Sequence, residues 1–363
     1  MPQRALIYSR DGFGLRHLRR SRAIVHALVE DRPEMSFLIL SSSPIIGSFN
    51  FQSRGEFRCI PGVIKLRNGD YISHSLHIHV ENTLARRWSI IRHTAETFDP
   101  DLFVVDKEPL GLRGEVCETL EMLKARGVLL VLGLRDVMDY PLLLAQEWER
   151  KNAVPALRDL YDEIWVYGLP QACNPLEKFD LPQSVHHKTI YAGYLRREAD
   201  SKARAATHEA PINGLYLLVT AGGGGDGETL MAPLGEGRMR YLRQRKTDGL
   251  PGLLNTADLY VWPAVRETYG MALLEAQAAG VLVVAGDAGG VAENIRHGIT
   301  GVLTPEGNVA ELADAIAGLL ADPARRAAMC TAAQTKIANE HSLEAASHAL
   351  NDIVTTTRRR RAA

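Results

Sequence analysis

The chain has 363 residues, 46% apolar and 23% charged, with 42 Lys and Arg against 43 Asp and Glu. At roughly 150 residues per domain this length predicts two domains with sizeable cores. The balance of charge excludes a global positive field for nucleic acid, and no run of about 18 apolar residues offers a membrane span.

The four cysteines, Cys59, Cys117, Cys173 and Cys330, lie far apart and form no C-x-x-C pair. That spacing argues against a zinc site or a disulfide framework and suits a reducing cytoplasm. The opening MPQRALIYSRDGFG has no apolar leader, so a cytoplasmic protein without a signal peptide is expected.

In chain order, short apolar runs at 5–8, 37–40, 102–106, 128–133 and 164–167 read as strands. Each is continuous rather than alternating, as parallel strands covered on both faces should be. Helical spacing appears between them, at about 17–30 and 84–98. This alternation predicts a doubly wound α/β domain over 1–198. EADSKARAATHEAP is small, charged and poor in large apolar residues, so a linker is expected at 199–211.

A second series follows, with strands at 215–220, 259–262 and 281–285 and helices near 270–279, 309–320 and 323–339. It predicts a second Rossmann-like domain over 212–345, with 346–363 as a helix end and basic tail. Between 227 and 259 no convincing strand appears, leaving room for one crossover at most. The second sheet is therefore expected to be contracted. Leu217, Val219 and Val261 should be exposed, or covered by the basic stretch 238–246. Arg358 to Arg361 reads as a solvated terminus, with weak peripheral contact with anionic lipid as the alternative.

The densest chemical signal is ETYGMALLE, where Glu267 leaves a strand and Glu275 lies in the next helix. Ligands of open α/β sheets bind at the carboxyl ends of the strands, which places both acids at that edge. A carboxylate there can accept two hydrogen bonds from a vicinal diol such as a ribose. Gly270, Gly286, Gly289 and Gly290 allow close backbone approach, and helix N-termini favour phosphate. Taken singly, either acid is as well explained as a solvated surface group.

The whole segment 257–308 resembles the donor site of retaining glycosyltransferases of the glycogen-synthase-like superfamily. It has the E-x7-E pair, the G-G-x-x-E turn (Gly289, Gly290, Glu293) and the G-x-T-G-x-L-x-P ending from Gly298 to Pro305. The resemblance implies that Glu267 lies by the donor sugar, Glu275 binds the nucleotide ribose, and Gly289 and Gly290 lie against sugar and diphosphate. The glycine loop Gly222, Gly223 and Gly224 reads as a nest for the diphosphate, with Arg238 as a local cation.

The opening DGFGLRHLRRSR resembles the G-x-G-H-x-x-R start of GT-B enzymes that add N-acetylglucosamine to a lipid-linked peptidoglycan precursor. By that resemblance Gly12 and Gly14 face the acceptor and His17 lies at the reaction centre. A histidine titrating near neutrality suits the base for a sugar hydroxyl. Arg16 departs from the small residue expected in that loop, and packing or capping of the helix is the competing role for His17. Asp106, Glu108, Arg135 and Asp136 leave strands at the same edge and read as acceptor-side groups or as structural clamps.

The G-x-G-x-x-G at 222–227 also fits a nicotinamide-dependent oxidoreductase, but no acidic strand end follows at the required distance. HSLHIH (His74, His77, His79) lacks a further ligand, and no acidic motif for a diphosphate-bridging cation is expected, so neither metal nor cofactor is predicted. The sequence thus predicts a two-domain GT-B enzyme, metal-independent, moving a hexosyl or N-acetylhexosaminyl group. Its partners are a nucleotide-sugar donor and a carbohydrate, lipid-linked or small-molecule acceptor. A nucleotide-sugar epimerase of the same fold, or a non-catalytic nucleotide-binding protein, is the alternative.

Overall fold

The computed structural model describes residues 3–9, 15–30, 32–43, 54–65, 71–74, 78–135, 148–149, 151–168, 174–177, 179–193, 217–219, 250–265, 267, 270–340, 350–353 and 355–356. The chain divides into two compact units, Met1–Arg197 with Ser342–Ala363, and Glu198–His341.

The first unit runs β1 (Arg4–Ser9), α1 (Leu15–Glu30), β2 (Ser36–Ser41), β3 (Gly55–Cys59), β4 (Val63–Lys65), β5 (Tyr71–Ser73), α2 (Val80–Phe98), β6 (Leu102–Asp106) and α3 (Cys117–Ala125). It continues with β7 (Leu129–Arg135), α4 (Ala153–Asp159), β8 (Glu163–Tyr167), α5 (Gln183–His186) and β9 (Thr189–Tyr191). Seven strands form one sheet in the order β3-β2-β1-β6-β7-β8-β9, with every neighbouring pair parallel. β4 and β5 form a separate antiparallel pair.

Alternate strand residues feed two cores. Leu6, Tyr8, Phe103, Val105 and Leu132 meet Ile91 of α2 and Leu120 of α3 on one face. Ile7, Val104, Val131 and Trp165 meet Ile24 and Leu28 of α1 on the other. Leu350 joins that second core, and Asn351 donates to the Ala27 carbonyl at 2.9 Å, so the chain's last segment belongs to this unit. Helix α2 stops where Asp99 takes a left-handed conformation (φ 48°) and returns its N–H to the Ala95 carbonyl. Pro100 follows and cannot continue the helix.

One ionic cluster lies inside the first core. The Arg87 Nε and Nη2 donate to Glu115 Oε2 and Oε1, both at 2.6 Å, and Nη1 donates to the Pro61 carbonyl at 2.6 Å. The Tyr8 hydroxyl also donates to Glu115 Oε1. Burial opposes the Arg87 charge, yet the bonds to Glu115 hold its guanidinium above its ordinary value.

The second unit holds β10 (Leu217–Val219), α6 (Leu250–Asn255), β11 (Leu259–Trp262), α7 (Met271–Ala278), β12 (Leu282–Asp287), α8 (Val291–Asn294), β13 (Gly301–Pro305), α9 (Val309–Ala321) and α10 (Pro323–Glu340). Its sheet is parallel throughout, in the order β10-β11-β12-β13. Leu273 and Ala276 of α7 and Val291 of α8 cover one face; Leu319 of α9 and Met329 of α10 cover the other. The last two helices start on side-chain caps. Asn308 accepts from the Glu311 amide at 3.1 Å, and Asp322 accepts from the Arg325 amide at 2.9 Å.

Among the described residues the second sheet has four strands against seven in the first. Leu217 and Val219 are 37% and 42% exposed, whereas Val261 is 3% exposed, so its expected exposure is corrected. Val261 lies on β11, between β10 and β12, and packs with Leu259, Val284 and Met329. The proposed cover 238–246, like the linker 199–211, lies outside the described residues. Among the described residues no helix is long and apolar enough to cross a membrane.

Candidate functional site

The carboxyl edge of the second sheet gathers the acidic and glycine motifs. β11 ends at Trp262, and Ala264 just beyond takes a positive φ of 34°. Gly286, near the end of β12, lies directly against this bend. A Cβ there would stand 2.4 Å from the Pro263 carbonyl oxygen and 2.8 Å from that of Ala264. Only glycine permits this approach, which brings the loop after β11 beside the turn after β12.

Glu267 lies in the first of these segments. Its Oε1 accepts the Gly270 amide at 3.0 Å, and Gly270 (φ 75°) caps α7. The acid thus stabilises the start of the helix with a charge of the favourable sign. Glu275 lies in the second turn of α7, half-buried. Gly289, with φ 55°, and Gly290 make the turn into α8 after β12. So Glu267, Glu275, Gly289 and Gly290 share one edge of one unit. Gly222, Gly223, Gly224 and Arg238 lie outside the described residues.

The turn and α7 are tied together from below. Gln277, fully buried, donates to the carbonyls of Leu273 (3.2 Å) and Asn294 (3.1 Å). Lys336 of α10 reaches the carbonyls of Glu293 and Asn294, both at 3.3 Å, and pairs with Glu340 at 3.2 Å. Burial pushes the Lys336 ammonium below its ordinary value, and Glu340 pulls the other way.

In the first sheet the strand order reverses between β1 and β6, the usual crevice of such a fold. Asp106 ends β6 there but does not face an open cleft. It is fully buried, and Arg20 Nη1 of α1 meets its Oδ1 at 2.6 Å. The Arg20 guanidinium lies 5.9 Å from the Tyr167 ring centre, and burial, then the charge of Asp106, pushes the Tyr167 phenol well up. Glu108 is likewise buried and paired with Lys151 at 2.7 Å. For both acids the clamp is the role the geometry supports. Arg135 ends β7, half-buried.

His17 lies in the first turn of α1, one turn ahead of Arg20. Its side chain, with Gly12, Gly14 and Asp136, lies outside the described residues. Arg20 is the arginine of the H-x-x-R motif that begins at His17, whereas Lys336 had no signal of its own, being one of 42 basic residues.

Among the described residues no group of three or more His, Cys, Asp and Glu could hold a metal ion. Against the expectation that the chain has no acidic motif for a diphosphate-bridging cation, Asp99-Pro100-Asp101 has the D-x-D form. It lies at the amino end of β6, where Asp99 pairs with Arg4 at 2.8 Å and Asp101 accepts the Arg4 amide at 2.9 Å. A cavity of about 470 Å³ lined by Ser36, Arg54, Arg58 and His93 opens at the amino half of β2, also remote from the carboxyl edge.

Two α/β units on parallel sheets, the second with paired acids and a glycine turn at its carboxyl edge, have the architecture of a GT-B α/β protein. Residues 216–336 match the family described as "Glycosyl transferases group 1". It is 37% identical over 127 residues to a D-inositol 3-phosphate glycosyltransferase of Mycobacterium avium, spanning 33% of this chain and 30% of that one. The corresponding protein of Salinispora tropica is 38% identical over 102 residues, 28% of this chain and 21% of that one. The matched part is thus under a third of the length of these relatives.

Solved structures match over nearly the whole chain. Anabaena Alr3699/HepE in complex with UDP-glucose gives a TM-score of 0.67 at 16% identity, covering 97% of this chain and 99% of that one. A glycosyltransferase of Rickettsia africae gives 0.70 at 13% identity, covering 98% of each chain. At such identities the likeness is one of fold.

Proposed function

We propose that the protein is a glycosyltransferase that moves a sugar from a nucleoside-diphosphate sugar, held by its second unit, to an acceptor on the side of its first. The observation that carries this reading is the convergence of Glu267, Glu275 and the Gly289–Gly290 turn on the carboxyl edge of the second sheet. The Gly286–Pro263 contact builds that convergence.

In the proposed reaction the bond between the sugar C1 and the diphosphate oxygen breaks, and a bond from C1 to an acceptor hydroxyl oxygen forms. The hydroxyl proton passes to His17. Glu275 binds the ribose, Glu267 stands by the sugar, and the Gly289–Gly290 turn lies against the sugar and diphosphate. Backbone N–H groups and local cations would stabilise the departing diphosphate, a preorganised electrostatic contribution. The glycine loop at 222–224 and Arg238 are the candidates for it in the sequence. Uridine is the base to try first, because the HepE structures contain UDP and UDP-glucose. The epimerase alternative has only likeness of fold behind it, while the group 1 match is one of sequence. Transfer is therefore preferred.

Glu275→Ala tests the donor half of this reading. Losing hydrogen bonds to a charged group should cost roughly 1.5–3 kcal/mol, about 10- to 150-fold in the dissociation constant for UDP. Calorimetric titration of a folded variant with unchanged affinity would remove Glu275 from the ribose site.

A further inference from the structure

We propose that Lys336 is a positioning residue for the donor site: by tying the carbonyls of Glu293 and Asn294 to α10, it fixes the glycine turn that faces the diphosphate. This rests on the donor reading above and extends it to a residue well beyond the motif.

The four-residue helix α8 cannot pair its last carbonyls internally, so they need donors from elsewhere. Lys336 supplies one to each, and Gln277 of α7 supplies a second to Asn294. The Asn294 carbonyl therefore joins three elements: the helix carrying Glu275, the turn carrying Gly289 and Gly290, and α10. The first and last of these approach closely, because a Cβ on Gly280, just after α7, would stand 2.6 Å from Gln334 of α10.

Stability alone does not call for a lysine here. The side chain is 3% exposed, and taking an ammonium out of water is costly, while a methionine of similar shape would bury freely. What the lysine adds is direction. Its charge faces the negative end of α8, and Glu340, which also binds Arg296, holds it there. Glu293, Arg296 and Glu340 are the charged groups that act on it. A site held to a fraction of an ångström needs such support behind the atoms that touch the ligand.

The test compares wild type with Lys336→Met, Lys336→Gln and Lys336→Arg in the full chain. It uses amide hydrogen exchange without ligand and calorimetric titration with UDP and with UMP. Lys336→Met should speed exchange across 289–296 while leaving 323–335 protected, and should weaken UDP by about tenfold with a smaller effect on UMP. Lys336→Arg should restore most of the UDP affinity. Should the methionine variant not fold, Lys336→Gln, which keeps an uncharged amide donor, should show the same selective loss of UDP affinity at reduced size. Unchanged exchange in 289–296, or equal weakening of UDP and UMP, would overturn the proposal. Failure of the wild type to bind UDP, GDP or ADP would instead remove the donor reading, and this inference with it.

Discussion

His17→Ala should lower kcat by about 10²–10⁴-fold and leave UDP affinity almost unchanged, the signature of a group that acts on the acceptor proton in the transition state. The placement of α1 makes this reasonable. His17 lies in its first turn, after the carboxyl end of β1, and the Arg20–Asp106 ion pair one turn later anchors the helix to the switch point of the sheet. Steady-state rates with any acceptor that supports turnover, set beside calorimetric UDP affinities, check it. Equal loss of rate and affinity, or loss of neither, would assign His17 to packing.

Arg87→Ala should destabilise the first unit by about 3–5 kcal/mol. Breaking a buried ion pair from one side leaves the other charge without compensation. Here that charge is Glu115, 5% exposed, with the Tyr8 hydroxyl as its remaining partner among the contacts described above. The Pro61 carbonyl would also lose its donor. The Arg87→Ala, Glu115→Ala double variant should cost less than the sum of the two single variants, because the stranded charge goes as well. Urea unfolding of the full chain, followed by a probe in the first unit, measures both effects. A loss below about 1 kcal/mol would mean that water or rearrangement satisfies Glu115 when Arg87 is gone.

The interior strands were legible because burial on both faces writes a continuous apolar run. β6 and β11 have the bounds that their runs gave. β3 (GEFRC) was not, since at the sheet edge three of its five residues are exposed and polar or small. β13 was read only as a motif ending, because three residues between Gly301 and Pro305 leave no run to see. At the site, the acids and glycines were visible as a motif, and their shared edge follows from lying after adjacent parallel strands. The contacts that hold them are between residues distant in sequence. Gly286 needs its missing Cβ because of Pro263, Asp106 is buried because of Arg20, and Lys336 lies 42 residues from Asn294. No local pattern announces any of these.

The most direct test of the donor site is a thermal-shift panel of UDP, GDP, ADP and UDP-glucose on the wild-type chain and on Glu275→Ala. A ligand at 100 times its dissociation constant adds about 2.7 kcal/mol to the unit that binds it. A raised melting temperature is expected with at least one of these nucleotides, UDP or UDP-glucose first, and a much smaller rise in the variant at the same concentration. No shift with any of them, or an equal shift in both proteins, would contradict a nucleotide-sugar site at Glu267, Glu275 and the Gly289–Gly290 turn.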